Sequence, residues 1–377
     1  MVQSTNRILR KSFIVFLALL LVASWYSSNS QEKSSNIDVA YFGFINDSIQ
    51  LKIRNVYDSK GVLELYKANI NTPVCEDELC YNLEVELYWD LAGNFLKYND
   101  VSSKGLTKRD HIEFSDRDHH TLHTLLTNKW PAFLNFNKNE LITNDPDVDV
   151  DGVSGATHRL ILEETVEGAV YTCFVLWHIV NDHDAIHAMS NNTRKYLDEA
   201  LIKKILTEDN RELHNYLIQQ FSNSDFATYL PLILPLIKTG KGYFPKITIS
   251  KMPKMLFGRD FTQDFLVEEF ENLDYFSRTV VLKKLQNMQV SNDLLYQLLS
   301  QVSNRNSVQN ELIFNLVCSN QRDDSFLEYY EIMCNNIIEG NIPISEDVLS
   351  KICTVDSNSK EIKKLSTQLK RYYKKNN

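Results

Sequence analysis

The chain has 377 residues, 43% of them hydrophobic and 24% charged, which excludes a largely disordered, collagen-like or polytopic membrane protein and points to two domains rather than one. Forty Lys and Arg stand against 49 Asp and Glu, a formal net charge of −9. The broad basic surface that a duplex or phosphate-backbone binder needs is therefore lacking, and no nucleic-acid partner is expected. With 11 Gly and 8 Pro against 18 Tyr and 19 Phe, turns are few and aromatic surface is plentiful, a helix-leaning balance.

At the N-terminus, Arg7, Arg10 and Lys11 precede an uninterrupted apolar run from Phe13 to Ala23, and Ser28 and Ser30 put small residues in the minus-three and minus-one places before Gln31. This is the pattern of a signal peptide over residues 1–30. The apolar run is shorter than the roughly 20 residues that span a bilayer. Cleavage is expected, giving an exported, periplasmic or otherwise extracytoplasmic mature chain; an uncleaved signal serving as a membrane anchor is the alternative.

From Asp38 to Tyr98 apolar residues tend to alternate with polar ones, most clearly at Tyr81, Leu83, Val85, Leu87 and Trp89, which predicts strands buried on one face. Leu91-Ala-Gly-Asn94 is a turn into a strand over Phe95 to Tyr98, so an antiparallel sheet begins here. Within this stretch Cys75 and Cys80 are close enough to close a short loop, and export makes a disulfide between them a candidate. A redox-active dithiol is the other reading, with a wider gap than thioredoxin-type motifs use. Cys173, Cys318, Cys334 and Cys353 occupy apolar positions of helical patterns and read as buried small hydrophobes.

Ser115, followed by Asp116 and Asp118, predicts a helix N-cap, and Leu122, Leu125 and Leu126 continue the helix, which ends before Pro131. A longer helix is expected from Arg159 to about Val180, carried by Leu162, Val166, Val170, Phe174 and Trp177. Its second half, from Ala169, also reads as a strand.

Between them lies Asp151-Gly-Val-Ser-Gly-Ala-Thr157. This run resembles the flavinylation motif of the FMN-binding domain family, found in flavin-carrying subunits of bacterial sodium-pumping and ferredoxin-linked respiratory complexes. In that family an Asp, two spacers, Ser or Thr, Gly, Ala and Thr form the motif, and a separate flavin transferase joins the FMN phosphate to the Thr hydroxyl. The resemblance implies Thr157 as the covalent attachment residue, with Asp151, Ser154, Gly155 and Ala156 as the recognition stretch. His158 and Arg159 stand where that family commonly carries Ser or Thr. The residues themselves suit the chemistry, since Gly155 and Ala156 leave room around the hydroxyl and a helix start offers unpaired N–H groups to a phosphodiester. They suit a plain helix start equally, with Ser154 as its cap and Gly-Ala-Thr as its first turn. The wider run from Leu106 through His178 also resembles exported proteins of the Bacteroidetes type, a likeness that brings no activity with it.

Eight of the nine His lie between residues 111 and 187. His119 and His123 are four apart on a predicted helix, as are His183 and His187 if that segment is helical, and such a step can place two imidazoles on one metal. Surface histidines beside acidic residues are the plainer reading. His111 or His158 would otherwise serve to tune a flavin by hydrogen bonding.

After Asn191 helical patterns recur roughly every 20 residues to the Lys-rich end, interrupted by a longer loop from Lys238 to Asp260 with Gly240, Gly242, Pro245 and Pro253. Short links between amphipathic helices favour a stacked, solenoid-like array. The expected fold is an α+β domain over 31–190, an antiparallel sheet with packed helices, followed by an all-α, helical-repeat-like domain over 191–377. Three functions fit: an exported flavoprotein carrying FMN on Thr157 for electron transfer, with a flavin transferase and a redox partner; a metal-dependent exported enzyme built on the histidines; and an interaction protein whose helical half binds a protein partner without any cofactor.

Overall fold

The computed structural model describes residues 39–45, 49–73, 82–136, 141–143, 156–157, 159–321, 326–355 and 359–376. The chain divides into two compact units, residues 1–204 and 205–377. The expected signal peptide and both Cys75 and Cys80 lie outside the described residues. Among those described, no helix is long and apolar enough to cross a membrane.

The first unit is built on an antiparallel meander of β1 (Val39–Ile45), β2 (Ile49–Tyr57), β3 (Leu63–Thr72), β4 (Leu83–Trp89) and β5 (Phe95–Asp100), hydrogen-bonded in that order. Alternation does the work: Leu83, Val85, Leu87 and Trp89 are buried on one face of β4, while Glu84, Glu86 and Tyr88 point the other way. The turn between β4 and β5 forms because the Asp90 carboxylate accepts from the Ala92 and Asn94 amides and Gly93 takes φ 84°, where a side chain would be strained.

Helices cover the inner face. α1 (Asp116–Thr127) starts with Ser115 and Asp118 in a reciprocal capping box and buries Leu122, Leu125 and Leu126. The helix expected from Arg159 to about Val180 is two helices, α2 (Arg159–Leu162) and α3 (Val170–Val180). Gly168 separates them with φ 75°, and its carbonyl leaves the helical ladder to accept from the Arg109 amide at 2.8 Å. The second half is helix, not strand, because nearly the whole surface of α3 is buried and apolar residues are needed all round it.

The segment after it is also helical: α4 (His183–Lys195) is capped by Asp182 and packs on β1. Buried polar groups tie these helices to the sheet. The Tyr66 hydroxyl donates to the Met189 carbonyl at 3.0 Å and meets the Thr193 hydroxyl at 2.7 Å, and Trp89 Nε1 donates to the Val180 carbonyl at 3.0 Å. A boundary between residues 190 and 191 would cut α4 between these anchors, whereas the chain divides after Lys204, within α5 (Glu199–Thr207).

Among its described residues the second unit has helices as its regular elements: α6 (Arg211–Gln220), α7 (Asn223–Thr239), α8 (Phe244–Lys251), α9 (Asp260–Glu269), α10 (Tyr275–Leu285), α11 (Asn292–Ser300), α12 (Ser307–Ser319), α13 (Phe326–Glu339), α14 (Glu346–Cys353) and α15 (Lys360–Asn376). Each helix packs on the next but one: α6 on α8, α7 on α9, and so on to α13 on α15. That pattern is a two-layer stack of helix pairs. Side-chain amides lock successive pairs: Gln286 donates to the Leu312 carbonyl, Asn320 to that of Met288 and Gln309 to that of Tyr275. The interruption expected from Lys238 to Asp260 contains α8, since Pro245 falls in the first turn, where its missing N–H removes no helical bond.

Candidate functional site

The residues around Thr157 are positioned by a short ladder and a short helix. Ile142–Thr143 and Ala156–Thr157 form antiparallel strands β6 and β7, with Ile142 opposite Thr157 and Thr143 opposite Ala156. α2 begins two residues later, at Arg159. Thr157 therefore closes a strand and does not sit in the first helical turn, so the plain helix-start reading of Gly-Ala-Thr does not describe the local structure. The reason is pairing: the ladder to Ile142 and Thr143 holds these two residues extended. Asp151, Ser154, Gly155 and His158 lie outside the described residues.

The neighbouring elements supply apolar surface. α2 packs on the single 3-10 turn Ala132–Asn135, and the Glu164 carboxylate accepts from the Ala132 amide at 2.6 Å. Phe133 of that turn is fully buried, with the rings of Phe174 and Trp177 at 5.5 and 5.6 Å. Leu134 and Leu162 stay exposed on the two packed elements, and Trp130, just before the turn, is 80% exposed. His178 packs on Phe174 at 4.0 Å, and burial pushes its pKa down although its Nδ1 lies 2.9 Å from the Phe174 carbonyl.

His119 and His123 lie on α1 and line an open depression with Tyr98, Asn99, Asp100 and His120. The Tyr98 hydroxyl bonds His119 Nδ1 at 2.7 Å, and Phe95 packs beside His123. Tyr98 is held protonated, its pKa raised by burial. Among the described residues no three His, Cys, Asp or Glu gather to hold a metal. His183 and His187 stack in parallel, 6.3 Å apart, on the exposed side of α4. His111 occupies a turn at φ 58° whose neighbour Arg109 bonds Gly168. The partnership of Tyr98 with His119 was not legible in sequence, because it joins residues from β5 and α1 that only the fold brings together.

The thiols Cys173, Cys318 and Cys334 are all pushed up to about 12 by burial, and Cys353 is raised as well. Cys173 and Cys334 are buried as expected, whereas Cys318 and Cys353 are only partly buried. Asp118 behaves oppositely: the Lys108 ammonium at 2.9 Å and the Ser115 amide and hydroxyl hold its carboxyl down at about 2. Its contribution to stability is thus present above the ordinary Asp value of about 3.9 and is lost as pH falls through about 2. Lys108→Met removes the largest cause, so the Asp118 carboxyl should titrate closer to the ordinary value, and NMR titration of its side-chain carbon measures this.

The chain matches no protein-family profile, no curated protein and no solved structure.

Proposed function

We propose that the protein is an exported flavoprotein that relays electrons through FMN joined by its phosphate to Thr157 Oγ1. The observation that carries this reading is the run Asp151-Gly-Val-Ser-Gly-Ala-Thr157, which meets every fixed position of the flavinylation motif. Bound flavin supplies reversible electron transfer, and that chemistry belongs to the cofactor. The chain's part is placement. Gly155 and Ala156 leave the hydroxyl approachable by a separate transferase, and the β6/β7 ladder fixes the backbone from which the linkage hangs. Leu162, on the helix that starts two residues after Thr157, and Leu134, on the turn packed against that helix, offer exposed apolar surface to the ring. The paired-helix stack of residues 205–377 offers a surface for a protein partner, the redox partner among the candidates.

The test is the intact mass of protein exported from a host that contains an active flavin transferase. One FMN phosphoester per chain, resistant to denaturation and mapped to the peptide bearing Thr157, is the expected result. An unmodified mass, in a host that flavinylates a known acceptor, would overturn the proposal.

The helix-pair stack also favours a second reading, an interaction protein without cofactor. Visible flavin absorbance of the purified protein separates the two.

A further inference from the structure

An antiparallel sheet commonly leaves one face in water, and such a face is usually a mixture of opposite charges placed to attract one another. The outer face of β1 to β5 departs from this. Arg54 of β2 stands directly opposite Lys67 of β3, Lys67 opposite Tyr88 of β4, and Tyr88 opposite Lys97 of β5. Three cations and one aromatic ring thus share a single rung across four strands, about 14 Å from end to end at the usual strand spacing.

Like charges directly opposite each other destabilise a sheet. Lys67 is relieved by Glu86 at 2.6 Å, and Lys67 and Lys97 lie 5.4 and 5.1 Å from the centre of the Tyr88 ring. Arg54 has no such relief: among the described residues it forms no ion pair, and it is exposed. Lys52, on the same face of β2, is likewise exposed without a carboxylate among the described residues. A chain of net charge −9 therefore concentrates unbalanced positive charge on this one face. At its β1 side Phe42 and Phe44 stand 57% exposed, edge to face with ring centres 6.2 Å apart.

We propose that this open face binds an acidic polysaccharide, with its anionic groups along the rung of Arg54, Lys67 and Lys97 and its sugar rings against Phe42 and Phe44. An anion lying beside Arg54 and Lys67 offsets the like charges that stand opposite each other there. The strand spacing of about 4.8 Å is close to the length of one sugar in an extended glycan, so successive acidic sugars meet successive strands. The next rung carries Asn69, Glu86 and Asn99 in register, donors and acceptors suited to hydroxyl groups. Glu84 and Glu86 on the same face, and the negative chain as a whole, disfavour the denser charge of a nucleic-acid backbone. The C–H faces of sugar rings pack on exposed aromatic rings through dispersion and burial of apolar surface. The inference stands on the sheet alone and is independent of the flavin reading.

The experiment is affinity electrophoresis of the full-length protein in native gels containing polygalacturonate, with neutral dextran gels alongside. Retardation by polygalacturonate and not by dextran is expected, weakening as salt is raised. The double variant Arg54→Gln, Lys97→Gln should bind about tenfold more weakly, on the scale of charge-assisted contacts. Its melting temperature should not fall, since Arg54→Gln relieves the opposition to Lys67. Phe42→Ser, outside the rung, should weaken binding while leaving its salt dependence in place. Absence of retardation at low salt, equal retardation by dextran, undiminished binding by the double variant, or tighter binding of oligo(dT) than of polygalacturonate would each overturn the proposal.

Discussion

Thr157→Val should abolish covalent flavin while leaving the protein folded. Valine matches threonine in volume and is a strong strand former, so the pairing of β7 with Ile142 and Thr143 is kept. What is lost is the oxygen to which the proposal assigns the flavin phosphate. Under active transferase the wild type should show one added FMN by intact mass, Thr157→Ser should retain it, and Thr157→Val should show none. A coloured, mass-shifted Thr157→Val protein would end the assignment. Ser154→Ala is the informative companion: as part of the recognition stretch its loss should lower flavin occupancy, and unchanged occupancy would remove Ser154 from that stretch. Absorbance and intact mass on the same samples measure this.

Trp89→Ala should be the most destabilising single change in the first unit. The side chain is fully buried at the end of β4, and its indole N–H is bonded to the Val180 carbonyl at the end of α3. Truncation of a buried Trp leaves a large cavity and costs about 3 to 5 kcal/mol, and the orphaned carbonyl adds to that. Against a typical total of about 5 to 15 kcal/mol, the unit should be partly unfolded at 37 °C. Trp89→Phe fills most of the volume and should cost markedly less. Circular dichroism during urea titration measures both; a midpoint for Trp89→Ala within error of the wild type would show that the strand end repacks.

The large pieces of the fold were legible because they rest on local rules. The alternation of Leu83, Val85, Leu87 and Trp89, the Ser115 cap with Asp118, and the repeated amphipathic patterns after Asn191 each reappear as β4, α1 and the helical stack. Misreadings cluster where a local signal had two meanings. The pattern from Arg159 to Val180 reads as one helix but is broken at Gly168 between α2 and α3, where its carbonyl is taken by Arg109 from another segment. Pro245 looked like a breaker but starts α8. Gly-Ala-Thr157 looked like a helix start but is held in a strand by Ile142 and Thr143, a partner that no short-range pattern names.

Spacing along the chain is enough to give a sheet-bearing first part of antiparallel character, a helical second part and the motif that nominates Thr157. Each of these depends on spacing along the chain, on residues within a turn of helix or a pair of strands. Only the tertiary structure decided that α4 belongs to the sheet through Tyr66 and Thr193, that helices stack on the next but one, that Tyr98 meets His119, and that Arg54, Lys67 and Lys97 share one rung. Those facts depend on strand register and helix packing between distant segments. Many registers satisfy the same apolar alternation, and the choice among them is made by how the whole core closes.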